Sequence, residues 1–345
     1  MATETHITSN QTLNTKDSSF DVSDEVYYLL LFVTNAIIAN ILSLIGILGS
    51  ILNVIILSHH KMQDTTNVVL LAISVCDLIY SITQISFNFN QFAKSLINLY
   101  IFQWAAVTNL LIFDRINYFA IIVSIHLVTL VSIERMVAVC FPFLVSRVFT
   151  LYRMKCIIIS IVCSNIVLRI PFYFKFEMYF DEYKNVTMPF LRYGDLFFQN
   201  ISFFNTYSRI SALFLYSILP FFVIFICTFA TIFHISITSK TNKALSSMEA
   251  IAKRKKEMKS VKIVLIICVL IMFLVLIPLF VQQVLFVFAL VQISQKLSLI
   301  TFWIVNILVQ LNSSFNFVIY VTGSPKFKRT LMKMFYSKRL LKVQS

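Results

Sequence analysis

A few polar side chains stand where the surrounding sequence is apolar, and these are the residues that could do chemistry. Asp77 lies in Leu71-Ala72-Ile73-Ser74-Val75-Cys76-Asp77-Leu78, Ser124 lies in a long run that ends in Ser132-Ile133-Glu134-Arg135-Met136, and Asn312 and Asn316 precede Tyr320. A carboxyl in an apolar run either stays neutral and bonded to a neighbour or holds a cation, and Asp77 admits both. Asn312 and Asn316 are four residues apart, so on a helix they share one face. Arg135 could snorkel from a helix end beside Glu134, or act on a partner there. The sequence has no zinc-ligand set, no nucleophile–base arrangement and no pair of carboxylates placed for catalysis, so an enzyme is not expected.

The elements that must position these residues follow from composition. Of 345 residues, 59% are hydrophobic and only 13% charged, and the mean hydropathy is +0.84. Soluble domains carry about 25% charged residues, so a bilayer is the natural solvent for this chain. A membrane-crossing helix takes about 20 mostly apolar residues. Seven runs qualify, near Val26–His59, Asn67–Phe92, Ala105–Val139, Met154–Phe174, Tyr207–Ile237, Val261–Leu290 and Leu297–Val321. The expected fold is an all-α membrane protein, a seven-transmembrane helix bundle. Residues 1–25 form an outer tail, 26–323 the bundle and 324–345 an inner tail. In that tail Phe327, Leu331, Met334 and Phe335 recur at helical spacing between basic residues, which predicts a short amphipathic helix on the inner membrane surface.

Charge placement gives the orientation. The net charge is +14, but the basic residues lie in short strips between apolar runs, which argues against nucleic acid. One strip, Lys253-Arg254-Lys255-Lys256, lies between helices five and six, and another follows helix seven from Lys326 to Arg339. Both belong on the inner side, leaving the N-terminus outside. Sequons at Asn10, Asn185 and Asn200 then fall outside, whereas Asn312-Ser313-Ser314 lies within helix seven. Met1 to Phe20 lack an apolar core, so no cleavable signal is expected. The six cysteines fall in apolar runs or at their inner ends, so no disulfide is expected. Asp114 and Arg115 are expected at the outer interface, within reach of water.

Taken in order, these motifs resemble the rhodopsin-like (class A) G protein-coupled receptors from Asn53 to Phe327. Leu71 to Leu78 resembles the second-helix motif ending in aspartate. Glu134-Arg135-Met136 stands where the family has Asp/Glu-Arg-Tyr, Pro142 matches the inner-loop proline, and Asn316-Phe317-Val318-Ile319-Tyr320 is similar to Asn-Pro-x-x-Tyr with Phe for Pro. Three departures stand out. Leu110 replaces the usual cysteine at the top of helix three, Val275-Leu276-Ile277-Pro278 lacks the helix-six tryptophan, and Thr228 replaces a helix-five tyrosine. Within the family the chain looks most like invertebrate FMRFamide-type neuropeptide receptors, which often carry Asn-Phe-x-x-Tyr. Leu168-Arg169-Ile170-Pro171-Phe172-Tyr173-Phe174 is similar to theirs.

The resemblance implies a plasma-membrane receptor with an extracellular N-terminus, an extracellular ligand that is a peptide, and a heterotrimeric G protein as partner. It implies coupling through Glu134, Arg135, Met136, Asn316 and Tyr320. It also implies an allosteric sodium ion held by Asp77, Ser124, Asn312 and Asn316. The ligand mouth would offer Asp114, Asn117, Gln283 and Trp303. A chemosensory receptor of the same fold is the alternative. A transporter or channel is disfavoured by the lack of internal repeats and paired broken helices. A retinal receptor is excluded because Gln310 stands where the family's lysine falls, and an amine ligand is disfavoured because Asn117 stands where amine receptors have aspartate.

Overall fold

The computed structural model describes residues 23–59, 64–93, 98–183, 186–241, 261–288, 295–324 and 327–334. In hydrocarbon every backbone N–H and C=O must find its partner within the segment, so apolar runs of this length become helices. Seven such helices are present among the described residues: Asp24–His59, Thr65–Ser86, Leu99–Cys140, Leu151–Tyr173, Ile201–Ile237, Val261–Val284 and Leu299–Gly323. They are called helices one to seven below. The seven runs read from hydropathy all appear, but several helices outgrow them. Helix three begins at Leu99 rather than Ala105, and helix five at Ile201 rather than Tyr207. At 1.5 Å per residue the 42 residues of helix three reach about 63 Å, roughly twice the hydrocarbon thickness, so its outer turns leave the membrane.

Local chemistry explains the ends and the bends. The Asn98 side chain accepts the Tyr100 N–H at 3.0 Å and so caps helix three, and Thr150 Oγ1 accepts the Arg153 N–H at 3.4 Å at the start of helix four. Helix five widens to π-helical turns over Ser211–Ile218 just before Pro220, and helix six over Met272–Leu276 just before Pro278. A proline ring clashes with the carbonyl four residues back, and a widened turn moves that carbonyl aside.

Helix three is the central post, packed on helices two, four and five. Its Val123, Leu127 and Val131 are buried among Ile73, Ile224 and Ile271. Helix four is peripheral: only 11% of its most apolar window is buried. Helices one, two and seven meet along a seam of small residues, which lets backbones approach closely. There Gln310 Nε2 donates to Ser43 Oγ at 2.6 Å, Ser314 Oγ to the Leu42 carbonyl at 3.0 Å, and Ser81 and Ser313 hydroxyls meet at 3.4 Å.

Outside the bundle, the segment after helix four folds into an antiparallel hairpin, β1 (Phe176–Tyr183) paired with β2 (Val186–Tyr193). It is held without a disulfide, and all six cysteines are free thiols. Rings replace the bridge: Trp104 of helix three lies 5.9 Å from Phe180, while Tyr193 stacks on Phe176 and on Phe197, each at 5.1 Å. Leu110, at the usual cysteine position, is exposed.

Beyond helix seven, residues 327–334 are helical. Phe327 is buried 5.7 Å from the Tyr320 ring, Leu331 and Met334 are half-buried, and Lys328, Arg329 and Lys333 are exposed. This is the amphipathic helix expected from the spacing; Phe335 lies outside the described residues.

Candidate functional site

Three polar sites lie along helix three, one above another. The middle one centres on Asp77, which is buried. Asn316 Nδ2 donates to its Oδ2 at 2.6 Å and Ser124 Oγ to its Oδ1 at 3.4 Å. Helices two, three and seven therefore meet at one carboxylate. Beside it is a cavity of about 20 Å³ for a water-sized occupant, lined by Asp77, Ser124, Asn312 and Ser313 together with apolar residues that include Ile271 and Val275 of helix six. The Asn312 Oδ1 is buried without a hydrogen-bond partner. A carboxylate, a hydroxyl and an unused carbonyl oxygen make an oxygen donor set that suits a hard cation. The four residues expected together are together: three line the cavity and Asn316 braces the carboxylate from outside it.

The inner site is Glu134 and Arg135. Glu134 is buried, and Arg135 Nη2 contacts its Oε1 at 3.2 Å. Glu134 also accepts from Thr65 Oγ1 at 2.5 Å and from Thr66 Oγ1, at 3.0 Å to each oxygen. The pair therefore ties the C-terminal end of helix three to the start of helix two. Sequence reading missed both threonines, because a hydroxyl in the first turn of a helix carries no pattern that names its partner. Tyr320 is buried with its hydroxyl unpartnered, and Met136 is half-buried. The inner-loop helix Pro142–Val148 follows, with Phe143 exposed.

The outer site differs most from expectation. Asn117 does not face a mouth: its Nδ2 donates to the Tyr80 carbonyl, to Thr83 Oγ1 at 2.9 Å and to Gln84 Oε1, all on helix two. Trp303 is buried on helix seven with its ring 5.3 Å from Phe302, and Gln283 is half-buried. Asp114 is exposed. Arg115 is not at the interface with water. It is buried, and its Nη1 donates to the Phe172 carbonyl at 2.8 Å while the guanidinium lies 5.0 Å over the Tyr173 ring. The helix turn that exposes Asp114 turns its neighbour inward, where the end of helix four supplies a carbonyl and a ring. Arg169, near the end of helix four, is also buried here. A charged residue inside an apolar span was the signal that could have marked it. Of the sequons, Asn200 is exposed at the start of helix five, and Asn10 and Asn185 lie outside the described residues.

This geometry is one on which comparison with known proteins bears directly. The family described as 7 transmembrane receptor (rhodopsin family) matches residues 50–320, a stretch that holds Asp77, Arg135 and Asn316 and ends on Tyr320. The chain is similar to the FMRFamide receptor of Drosophila melanogaster, at 25% identity over 335 residues, covering 94% of this chain and 58% of that protein. It thus spans little more than half the length of that relative. Seven apolar helices, a buried aspartate braced from helix seven and a Glu-Arg pair closing helix three agree with the match over most of the chain: this multi-pass membrane protein belongs to the rhodopsin family of seven-transmembrane receptors.

Proposed function

We propose that the chain is a neuropeptide-type receptor of the plasma membrane, with its N-terminus outside, that passes a signal to a heterotrimeric G protein. The observation that carries this reading is the Glu134–Arg135 pair, held to helix two by Thr65 and Thr66. A two-state receptor needs a contact made in one helix packing and released in the other. The pair suits that role, because Arg135 is engaged at the inner surface yet keeps its Nε unbonded. A ligand among the outer helix ends would favour the packing in which helix six swings outward about Pro278. Arg135, released from Glu134, would then meet the carbonyl end of the G protein's docking helix, where a cation is favoured. Met136, Asn316 and Tyr320 complete that face.

In the middle of the bundle, a sodium ion coordinated by Asp77, Ser124 and Asn312, with Asn316 bracing Asp77, would hold the inactive packing. The buried unused oxygen of Asn312 supports this reading. At the outer end, Asp114 is exposed and suited to an arginine of the ligand. The peptide assignment draws on the name of the similar Drosophila protein and on the acidic Asp114.

Arg135→Ala tests the reading. Cells bearing this variant should keep surface expression and agonist binding and lose G protein activation. Normal activation by the variant would remove the central residue of the mechanism.

A further inference from the structure

Helix four carries a guanidinium into the bundle that the switch described above does not use. Arg169 is 6% exposed, and its Cζ lies 4.5 Å over the Tyr118 ring and 5.0 Å over the Phe172 ring. Its Nη1 is buried and has no hydrogen-bond partner. Arg115 is 7% exposed and shares Phe172 with it, through that residue's carbonyl. Lys175 follows closely, its ammonium 5.2 Å over the Phe176 ring. Asp114 lies within electrostatic reach of all three cations and makes no ion pair among the described residues. Glu177 of the hairpin is already engaged by Arg192 at 3.4 Å and by the Asp195 N–H at 3.3 Å. Three cations and Asp114 therefore stand together, without an ion pair among the described residues, where helices three and four meet the hairpin.

Rings attract a guanidinium, but they do not replace the water it loses on burial, and a buried ion without a counter-charge is costly. A guanidinium offers paired N–H donors in one plane, a geometry that suits an anion accepting two of them. Asp114, one helical turn from Tyr118, is the exposed member of the cluster. Beside the cluster a cavity of about 30 Å³ is lined by Phe172 and Lys175, with Asn205, Tyr207 and Ser208 of helix five.

We propose that this outer cluster recognises an acidic group of the ligand, a carboxylate seated against Arg169 with Arg115 and Lys175 in support. Asp114 beside it takes the ligand's cation. The inference rests on the peptide reading and sharpens it: the agonist carries both an acidic and a basic side chain.

Two arms test this. In the first, cells bearing the receptor are given three probes: the amidated peptide Phe-Met-Arg-Phe, and the same peptide extended at its N-terminus by aspartate or by asparagine. The aspartate form should act at concentrations lower by about tenfold than the asparagine form. That ratio should fall towards one in Arg169→Gln and be largely kept in Arg169→Lys. Equal potency of the two extended forms on the wild type overturns the proposal, as does a ratio unchanged in both Arg169→Gln and Arg115→Gln. If Arg169→Gln fails to reach the surface, Arg169→Lys and Arg115→Gln carry the comparison. In the second arm, the thermal midpoint of purified receptor is read in sodium sulfate and in sodium chloride at matched ionic strength. Sulfate stabilises proteins generally, so the readout is the difference between wild type and Arg115→Gln or Arg169→Gln, in which that general effect cancels. A sulfate gain larger in the wild type supports the anion site, and an equal gain in all three overturns it. Silence of all three peptides counts against the peptide reading alone, and the sulfate arm then decides the anion site.

Discussion

Replacing Gly49 by alanine should separate helix seven from helix one at the motif that braces Asp77. A Cβ built on Gly49 would lie 2.9 Å from the Cβ of Phe317 and 3.5 Å from its Cγ. Ordinary carbon contacts begin near 3.5 Å, so one helix must give by about half an ångström or more. The opposing atom is a Cβ, fixed to its backbone, and no side-chain rotation moves it. Overpacking of this kind costs about 1–3 kcal/mol. The shift also falls next to Asn316, whose bond to Asp77 is 2.6 Å long. Stretching that hydrogen bond can remove about 0.5–1.5 kcal/mol more. At roughly 2–4 °C per kcal/mol, a scale taken from somewhat smaller domains, the first effect alone lowers the thermal midpoint by about 2–12 °C. The assay is the melting of detergent-purified receptor followed by size-exclusion of a fluorescent fusion. Gly49→Ala with Phe317→Gly supplies the decisive comparison. Phe317→Gly removes the opposing Cβ, so the double variant should be less unstable than the two single losses added together. Phe317→Pro keeps a Cβ and should give no such relief. An unchanged midpoint in Gly49→Ala, or strict additivity with Phe317→Gly, would refute the contact as described.

Three further outcomes are expected. Sodium should lower agonist affinity in the wild type, and Asp77→Asn should blunt that effect; equal binding with sodium or with a large organic cation in the wild type would remove the ion from the mechanism. Asp114→Lys should weaken an arginine-bearing agonist by at least about tenfold, or about 1.4 kcal/mol, and unchanged potency would mean that Asp114 does not meet the ligand. Tags placed at both ends and probed on intact cells should be reached by antibody at the N-terminus alone; an accessible C-terminal tag would invert the topology.

What the sequence by itself determined was the class of solvent, the number of crossings and the approximate place of each helix. Those depend on composition summed over about 20 residues at a time, and a carbon-rich run reads the same whatever it packs against. The motif residues Asp77, Arg135, Asn316 and Tyr320 were legible for a related reason: a polar group in an apolar run is conspicuous without any coordinates. The tertiary structure decided which groups answer them. Ser124 and Asn316 reach Asp77 from two other helices, and Thr65 and Thr66 reach Glu134 across a separation of nearly seventy residues. No local pattern encodes such pairs, because they depend on how each helix is rotated about its axis and how deep it sits. The same rotation separates Asp114 from Arg115. Adjacent residues on a helix point about 100° apart, so one faces the outside while the other is buried beneath Phe172 and Tyr173. It also turned Asn117 away from the mouth and onto three acceptors of helix two. Hydropathy places a residue at a depth, but only packing against neighbouring helices chooses its direction.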